Sequence, residues 1–369
     1  MESQPGEAEV PLLRSSSLSL RPKKPPFALV ITVLAAALIP ALFWGLLSGS
    51  VFLSPAAALE GFFFLIGRGV TEGAETAAVL IFRIRLPRIL LAVLVGASLG
   101  IAGACFQGLF RNSLADPYII GASSGAALGA ALAVSFGGGL GLGFFSVLGP
   151  PGIAAFSGSL AAVFLAFVIS RSCGNTPSPG VLILAGTSIS AFCSALLALV
   201  LVIKDRNLIQ VYYWLLGSLS GTTWPRLLSV LPPMILGSTV IFLSARPLDL
   251  LLQGEQAAES LGLDPLKTRF ILALAATLPV AAAVSVSGVI GFVGLIAPHG
   301  ARFFTGPGHR RLLPASALTG ALLALIADNL ARSLIPPVEL PLGVITSLGG
   351  APFFLFLLVR RGKLSGGNL

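Results

Sequence analysis

The stretch PRILLAVLVGASLGIAGACFQGLF, Pro87 to Phe110, runs through twenty-four residues with one charge, at its second position. A bilayer hydrocarbon core about 30 Å thick is crossed by about 20 apolar residues of α-helix, so this stretch reads as one membrane crossing. Membrane β-strands would alternate in segments of about ten residues. Here Leu, Ala and Gly run on continuously, and a helix is the reading that satisfies every backbone polar group in lipid.

Working outward, nine further stretches have this character: 27–48, 118–136, 152–170, 181–203, 227–245, 268–290, 291–304, 312–334 and 341–359. The seventh and eighth crossings, 268–290 and 291–304, are barely separated and also read as one broken hairpin. With 55% hydrophobic and 10% charged residues and a mean hydropathy of +0.96, the chain is expected to be an all-α, polytopic membrane protein of about ten transmembrane helices. Ordinary soluble domains carry about 25% charge. The expected organisation is a disordered cytoplasmic tail over 1–26, a transmembrane domain over 27–360 and a cytoplasmic tail over 361–369. Arg21, Lys23 and Lys24 precede the first crossing, which is longer than the apolar core of a cleavable signal and reads as a retained anchor.

Lys and Arg favour short cytoplasmic loops. With the N-terminus inside, fifteen of the 23 basic residues fall on the cytoplasmic side and eight outside, which supports cytoplasmic N- and C-termini. The net charge of +9 is then mainly an orientation signal facing anionic lipid, and no nucleic-acid partner is expected. Three cysteines and two histidines, scattered along the chain, give neither a disulfide framework nor a metal or haem centre. No phosphate-cradling G-x-x-x-x-G-K-[ST] loop, Ser/His/Asp arrangement or H-E-x-x-H helix occurs. No catalytic residue, metal or cofactor is therefore expected, and transport or scaffolding remains.

Two places carry chemistry. In LIADNLARSL (325–334), Asp328 and Arg332 are four apart and share a helix face, so they can pair; a charge inside a crossing marks a functional site by default. GEQAAESLG (254–262) is the second, a short polar helix in an apolar chain. Gly254 suits the N-cap, Glu255 puts negative charge in the first turn, and Gly262 suits the left-handed position after the last. Asp264-Pro265 then stops it. Ala258 and Leu261 are expected on one face, with Glu255, Gln256 and Glu259 solvated. A bland amphipathic loop helix and a docking helix share this pattern.

The block RIRLPRILLAVLVGASLGIAGACFQGLFRNSLADPYIIGASSGAALGA (83–130) resembles the opening signature of permease subunits of ABC importers for iron-siderophores, haem and cobalamin. The block running from GVIGFVGLIAPHGARFF (starting at Gly288) to PFFLFLL (ending at Leu358) resembles the closing one. LAGTSISAFCSALLAL (184–199) and WLLGSLSG (214–221) fit between them in order. The resemblance covers about 80–360. It implies a homodimer in the cytoplasmic (inner) membrane of a prokaryote, served by two ATP-binding subunits and an extracytoplasmic substrate-binding protein. It makes Gly254, Glu255, Ala258, Leu261 and Gly262 a coupling helix that docks on the ATPase subunit. Arg85, Arg88 and Arg332 become salt-bridge partners of the binding protein.

The resemblance further puts the pathway wall at about 185–223 and a cytoplasmic gate near Ser178-Pro179-Gly180. The cytoplasmic turn Arg111, Asn112, Asp116 and Pro117 keeps the family pattern except at Ser113, where a proline is usual; a local change in stiffness is expected. The small residues of 121–130 are read as close helix packing, and Pro298-His299 as a break in the eighth helix. Ferric siderophore is the leading substrate, with haem and cobalamin as alternatives. A secondary transporter driven by an ion gradient is a rival of another class, but it would need more intramembrane carboxylates than Asp328.

Overall fold

The computed structural model describes residues 25–49, 51–65, 73–137, 147–173, 179–204 and 208–365. The expected N-terminal tail up to residue 24, Ser178 of the expected gate turn and residues 366–369 of the expected C-terminal tail lie outside them. Among the described residues the chain is helical, with an isolated bridge between Ile335 and Val338 as its single β pairing.

Every expected crossing is a helix. Seven helices are long and apolar enough to cross a membrane: α1 (Phe27–Leu47), the continuous run Ala74–Leu109, α6 (Gly149–Ser172), α7 (Pro179–Ile203), α9 (Trp224–Leu243), α12 (Pro265–Ser287) and α14 (His309–Ser333). Of the other three, α5 (Ala122–Phe136) has 15 residues, α13 (Val293–Thr305) has 13, and α15 (Leu342–Ser365) runs largely apolar from Leu342 to Val359 before Arg360. At about 1.5 Å per residue, 13 residues span roughly 20 Å, less than the bilayer core. Among the described residues, seven helices thus have the length and composition of a full span, with further apolar helices beside them. α12 and α13 are separate helices joined through Gly288 and Phe292, both at φ 66°, and α13 runs unbroken through Pro298, contrary to the expected break.

The second crossing also begins earlier than expected. Arg83, Arg85, Pro87 and Arg88 read as a boundary, yet helix continues upstream as α3 (Ala74–Val79) and a π-helical turn (Leu80–Arg85) before α4 (Leu86–Leu109). Pro87 lacks an N–H and its ring crowds the carbonyl four residues back; the wider π turn just before it accommodates both. α2 (Pro55–Leu65), unforeseen, packs on this extension through Gly61, where a Cβ would lie 2.8 Å from the Ala78 backbone nitrogen.

α4 is the centre of the molecule and is buried along nearly its whole length, with α12 and α14 packed around it. Lipid tails are as apolar as Leu, so helices in a membrane associate by close packing and polar contacts, not by hydrophobic burial. α4 therefore presents small residues. A Cβ on Gly96 would stand 2.2 Å from the Gly320 carbonyl oxygen, and one on Gly100 would stand 2.2 Å from that of Ser316. The stripe 121–130 packs as expected: a Cβ on Gly125 would meet the Gly158 carbonyl of α6 at 2.3 Å, and one on Gly129 the Ala154 carbonyl at 2.1 Å. α7 and the short α8 (Leu208–Leu215) instead turn Leu184, Phe192, Val202 and Tyr213 outward.

Candidate functional site

The polar stretch and the nine residues before it fold as two short helices at an angle set by one glycine. α10 (Ala245–Gln253) ends at Gly254, whose φ of 116° and ψ of 163° suit no L side chain, and α11 (Glu255–Ser260) begins at once. α11 ends in a Schellman motif. The Gly262 N–H donates to the Glu259 carbonyl (2.9 Å) and the Leu263 N–H to that of Ala258 (3.0 Å), with Gly262 at φ 79°. Asp264 does not merely stop this helix. Its carboxylate accepts from the Lys267 backbone N–H at 3.0 Å and so caps α12, with Pro265 in the first position.

The faces of α11 differ from expectation. Ala258 is fully buried while Leu261, at the C-cap, is 64% exposed. Two residues three apart fall on opposite sides because the helix ends between them. Glu255 is only partly solvated: its Oε1 lies 2.7 Å from Nη2 of the buried Arg269 in α12. α10 is anchored too. Asp249 Oδ1 accepts the His309 backbone N–H (2.9 Å) and lies 2.6 Å from His309 Nδ1, at the first residue of α14. Sequence reasoning missed both Asp249–His309 and Glu255–Arg269. The one local signal was Arg269 itself, a cation among apolar residues at a crossing's start.

The turn 111–117 adjoins this segment, with Arg111 Nη1 3.8 Å from where a Gly254 Cβ would lie. Arg111 is exposed at φ 49°. Asn112 Oδ1 accepts the Leu114 N–H (2.9 Å) and Asp116 Oδ1 the Tyr118 N–H (2.8 Å), while Pro117 is buried against Gly294. Burial pushes the Asp116 carboxyl up to about 6, although the Tyr118 N–H opposes the rise. Ser113, where the proline was expected, is half-buried in this turn.

At the opposite end of α4 the three expected docking arginines face inward. Arg88 is 8% exposed; its Nε and Nη2 bind Asp328 (3.0 and 2.9 Å to Oδ1) and its Nη1 binds both oxygens of Glu339 (3.0 and 2.9 Å). Arg332 pairs with Asp328 at 3.2 Å, as the four-residue spacing predicts, and donates to Asn329 Oδ1 and the Gly45 and Ser48 carbonyls. Arg85 donates to the Leu46 and Val51 carbonyls. These bonds close the free carbonyls at the end of α1 and tie α1, α4, α14 and the 334–341 loop together. All three arginines thus have partners within the chain. Among the described residues no group of three or more His, Cys, Asp or Glu is gathered to hold a metal ion.

Comparison with known proteins gives this geometry its family. The FecCD transport family matches residues 35–360. The chain is 45% identical over 287 residues to a cobalamin import system permease of Halobacterium salinarum, covering 78% of this chain and 75% of that one. It is 44% identical over 291 residues to a hemin transport system permease of Yersinia pestis, covering 75% and 82%, and 41% identical over 276 residues to an Fe(3+) dicitrate transport system permease of Escherichia coli, covering 75% and 84%. A solved inward-facing structure described as a metal-chelate type ABC transporter superposes with a TM-score of 0.76 at 34% identity, covering 90% of this chain and 99% of that one. A multi-pass helical chain with this much in common with such transporters belongs to the FecCD transport family, as a permease subunit of an ABC importer and not an enzyme.

Proposed function

We propose that this permease carries a bulky metal chelate into the cytoplasm, with ferric siderophore as the leading substrate, and that it works as a homodimer driven by two ATPase subunits. The observation that carries the reading is the α10–α11 segment: a capped, polar helix pair with an exposed Leu261, rigidly braced through Asp249–His309 and Glu255–Arg269 onto helices of the membrane core. Such a brace lets force applied at Gly254 to Gly262 reach α12 and α14. The turn at Arg111, Asn112, Asp116 and Pro117 borders the same surface, facing the cytoplasm in the orientation given by the basic residues.

The outward apolar side chains of α7 and α8 support a second copy there, with the pathway between the two copies. An acidic extracytoplasmic binding protein fits the other end. Arg85, Arg88 and Arg332 against Asp328 and Glu339 leave one positive charge, and the exposed Arg83 adds another. In this reading the three buried arginines act by the field they set up, which steers an acidic partner.

A second reading, cobalamin or haem as cargo, is favoured by the 45% and 44% identities to a cobalamin and a hemin permease, against 41% for the ferric dicitrate permease. Reconstitution in liposomes with the ATPase and binding-protein partners tests both. Uptake of a ferric siderophore that requires ATP is the expected result. ATP-dependent uptake of cobalamin or haem alone selects the second reading, and uptake driven by an ion gradient without ATP overturns the importer reading altogether.

A further inference from the structure

Between the end of α6 and the start of α12, beside the bend that joins α11 to α12, lies a groove of about 620 Å³. Its size falls within the roughly 300–1,000 Å³ of small-molecule sites. Phe167 and Phe270 form its floor, with ring centroids 4.6 Å apart, and Phe164 stands half-exposed at its side. The mouth is different. Arg171, two turns beyond Phe164 on the same face of α6, and Lys267, one turn before Phe270, both stand exposed at one end of the groove.

We infer that this groove binds one anionic phospholipid, with Arg171 and Lys267 holding the headgroup phosphate and the phenylalanines covering the upper part of an acyl chain. Charge complementarity selects the class. The groove holds two cations and one carboxylate, and that carboxylate, Asp264, is engaged by the Lys267 backbone N–H at 3.0 Å and by Lys267 Nζ at 3.3 Å. The balance is one positive charge, the match for a phosphodiester with no headgroup amine. A zwitterionic ethanolamine would need a free carboxylate for its ammonium, and Asp264 is occupied. Location selects a lipid over a soluble anion. Val168 lines the groove and the wall of α6 beyond it exposes Leu165 and Ile169, so the phosphate end opens beside an apolar surface of the kind acyl chains wet. Basic pockets between membrane helices hold lipid headgroups by this combination of charge and apolar wall.

The test uses the purified, delipidated chain and native mass spectrometry with dioleoyl phosphatidylglycerol, phosphatidylethanolamine and phosphatidylcholine. Phosphatidylglycerol is expected to bind more tightly than phosphatidylcholine by roughly tenfold to thirtyfold, the effect of two basic residues near an anionic headgroup. Arg171→Ala with Lys267→Ala should bring it down to the phosphatidylcholine level. Both side chains are exposed, so folding is kept, and a symmetric elution peak checks this. Arg310→Ala with Arg311→Ala removes equal charge elsewhere and should preserve the preference. Phe164→Ala should weaken phosphatidylglycerol without altering charge. Equal binding of all three lipids, a preference surviving in the Arg171/Lys267 variant, or an equal loss in the Arg310/Arg311 variant overturns the assignment. So does displacement of bound lipid by excess inorganic phosphate, which would make the occupant a free anion.

Discussion

Glu255, first residue of α11, and Arg269, in the second turn of α12, meet at 2.7 Å across the bend of Gly254 to Asp264. The pair fixes the angle between the candidate coupling helix and a core helix. Glu255→Arg puts two cations together and opposes the helix dipole, itself worth about 0.3–1 kcal/mol. It should uncouple ATP hydrolysis from uptake while the protein still inserts. Adding Arg269→Glu restores the pair with its sign reversed. We expect partial recovery of coupling in the double variant, with an interaction energy on the order of 1 kcal/mol for a half-exposed pair. Additive losses in reconstituted transport would mean that the pair does not set coupling.

Leu261 offers a test free of folding effects. Because it is 64% exposed, Leu261→Asp should leave thermal stability unchanged within about 0.5 kcal/mol, as for surface substitutions generally. Affinity for the ATPase subunit should fall, since a carboxylate would be buried in the partner's groove. Co-purification with the ATPase, measured beside a melting curve, separates the two effects; unchanged co-purification removes Leu261 from the docking surface.

The network around Asp328 predicts an order of damage. Asp328 pairs with both Arg88 and Arg332, so Asp328→Asn leaves the buried Arg332 without a carboxylate and Arg88 with Glu339 alone, and should cost about 3–5 kcal/mol, as for breaking a buried pair. Arg332→Ala leaves Asp328 still held by Arg88, and Glu339→Gln touches only the exposed edge, so these should follow in decreasing severity. Thermal unfolding in detergent measures the series. An Asp328→Asn variant as stable as Glu339→Gln would contradict it.

Close helix approach makes two glycines behave oppositely. Gly100→Ala would place a methyl group 2.2 Å from the Ser316 carbonyl oxygen, forcing α4 and α14 apart, whereas Gly300, inside α13, has nothing within 4 Å of its would-be Cβ. Gly100→Ala should destabilise strongly. Gly300→Ala should be neutral or stabilise by up to about 1 kcal/mol through helix propensity. Comparing melting temperatures decides it.

Asp116 gives a pH signature. Its folded value of about 6 lies above the roughly 3.9 of an unfolded chain, so the native state binds the proton more tightly. The stabilisation is complete below pH 4 and is lost as pH rises through 6. Asp116→Asn keeps an acceptor for the Tyr118 N–H and should be flat across that window, melting higher than the wild type at pH 7.5. Parallel slopes in the two proteins would refute the assignment.

What was legible in the sequence follows from range. The ends of α11 could be read because Gly254 and Gly262 act on their own backbone, and Asp328–Arg332 because four residues are one helical turn. Small residues at 121–130 foretold close packing, though not against which helix. Arg88–Asp328, 240 residues apart, and Asp249–His309, sixty apart, leave no local trace. The intrachain partners of Arg85, Arg88 and Arg332 were not legible either, because composition does not record whether a cation at a helix end turns outward or bonds the carbonyls of a neighbour. α13 and the upstream turn of α4 were misjudged for one reason. Proline inside a helix reads as a stop, and the π turn and core packing that absorb it are tertiary.

α14 touches both ends of the machinery, starting at His309 against Asp249 and finishing at Asp328 and Arg332. A 25-residue helix of about 1.5 Å per residue is roughly 37 Å long, a single strut between the two faces. Binding at one end and binding at the other are then two loads on the same strut. By thermodynamic reciprocity, whatever factor a partner at the Arg332 end contributes to affinity at the Asp249 end must be returned unchanged in the opposite direction, and a substitution midway along α14 that softens it should shrink both factors together.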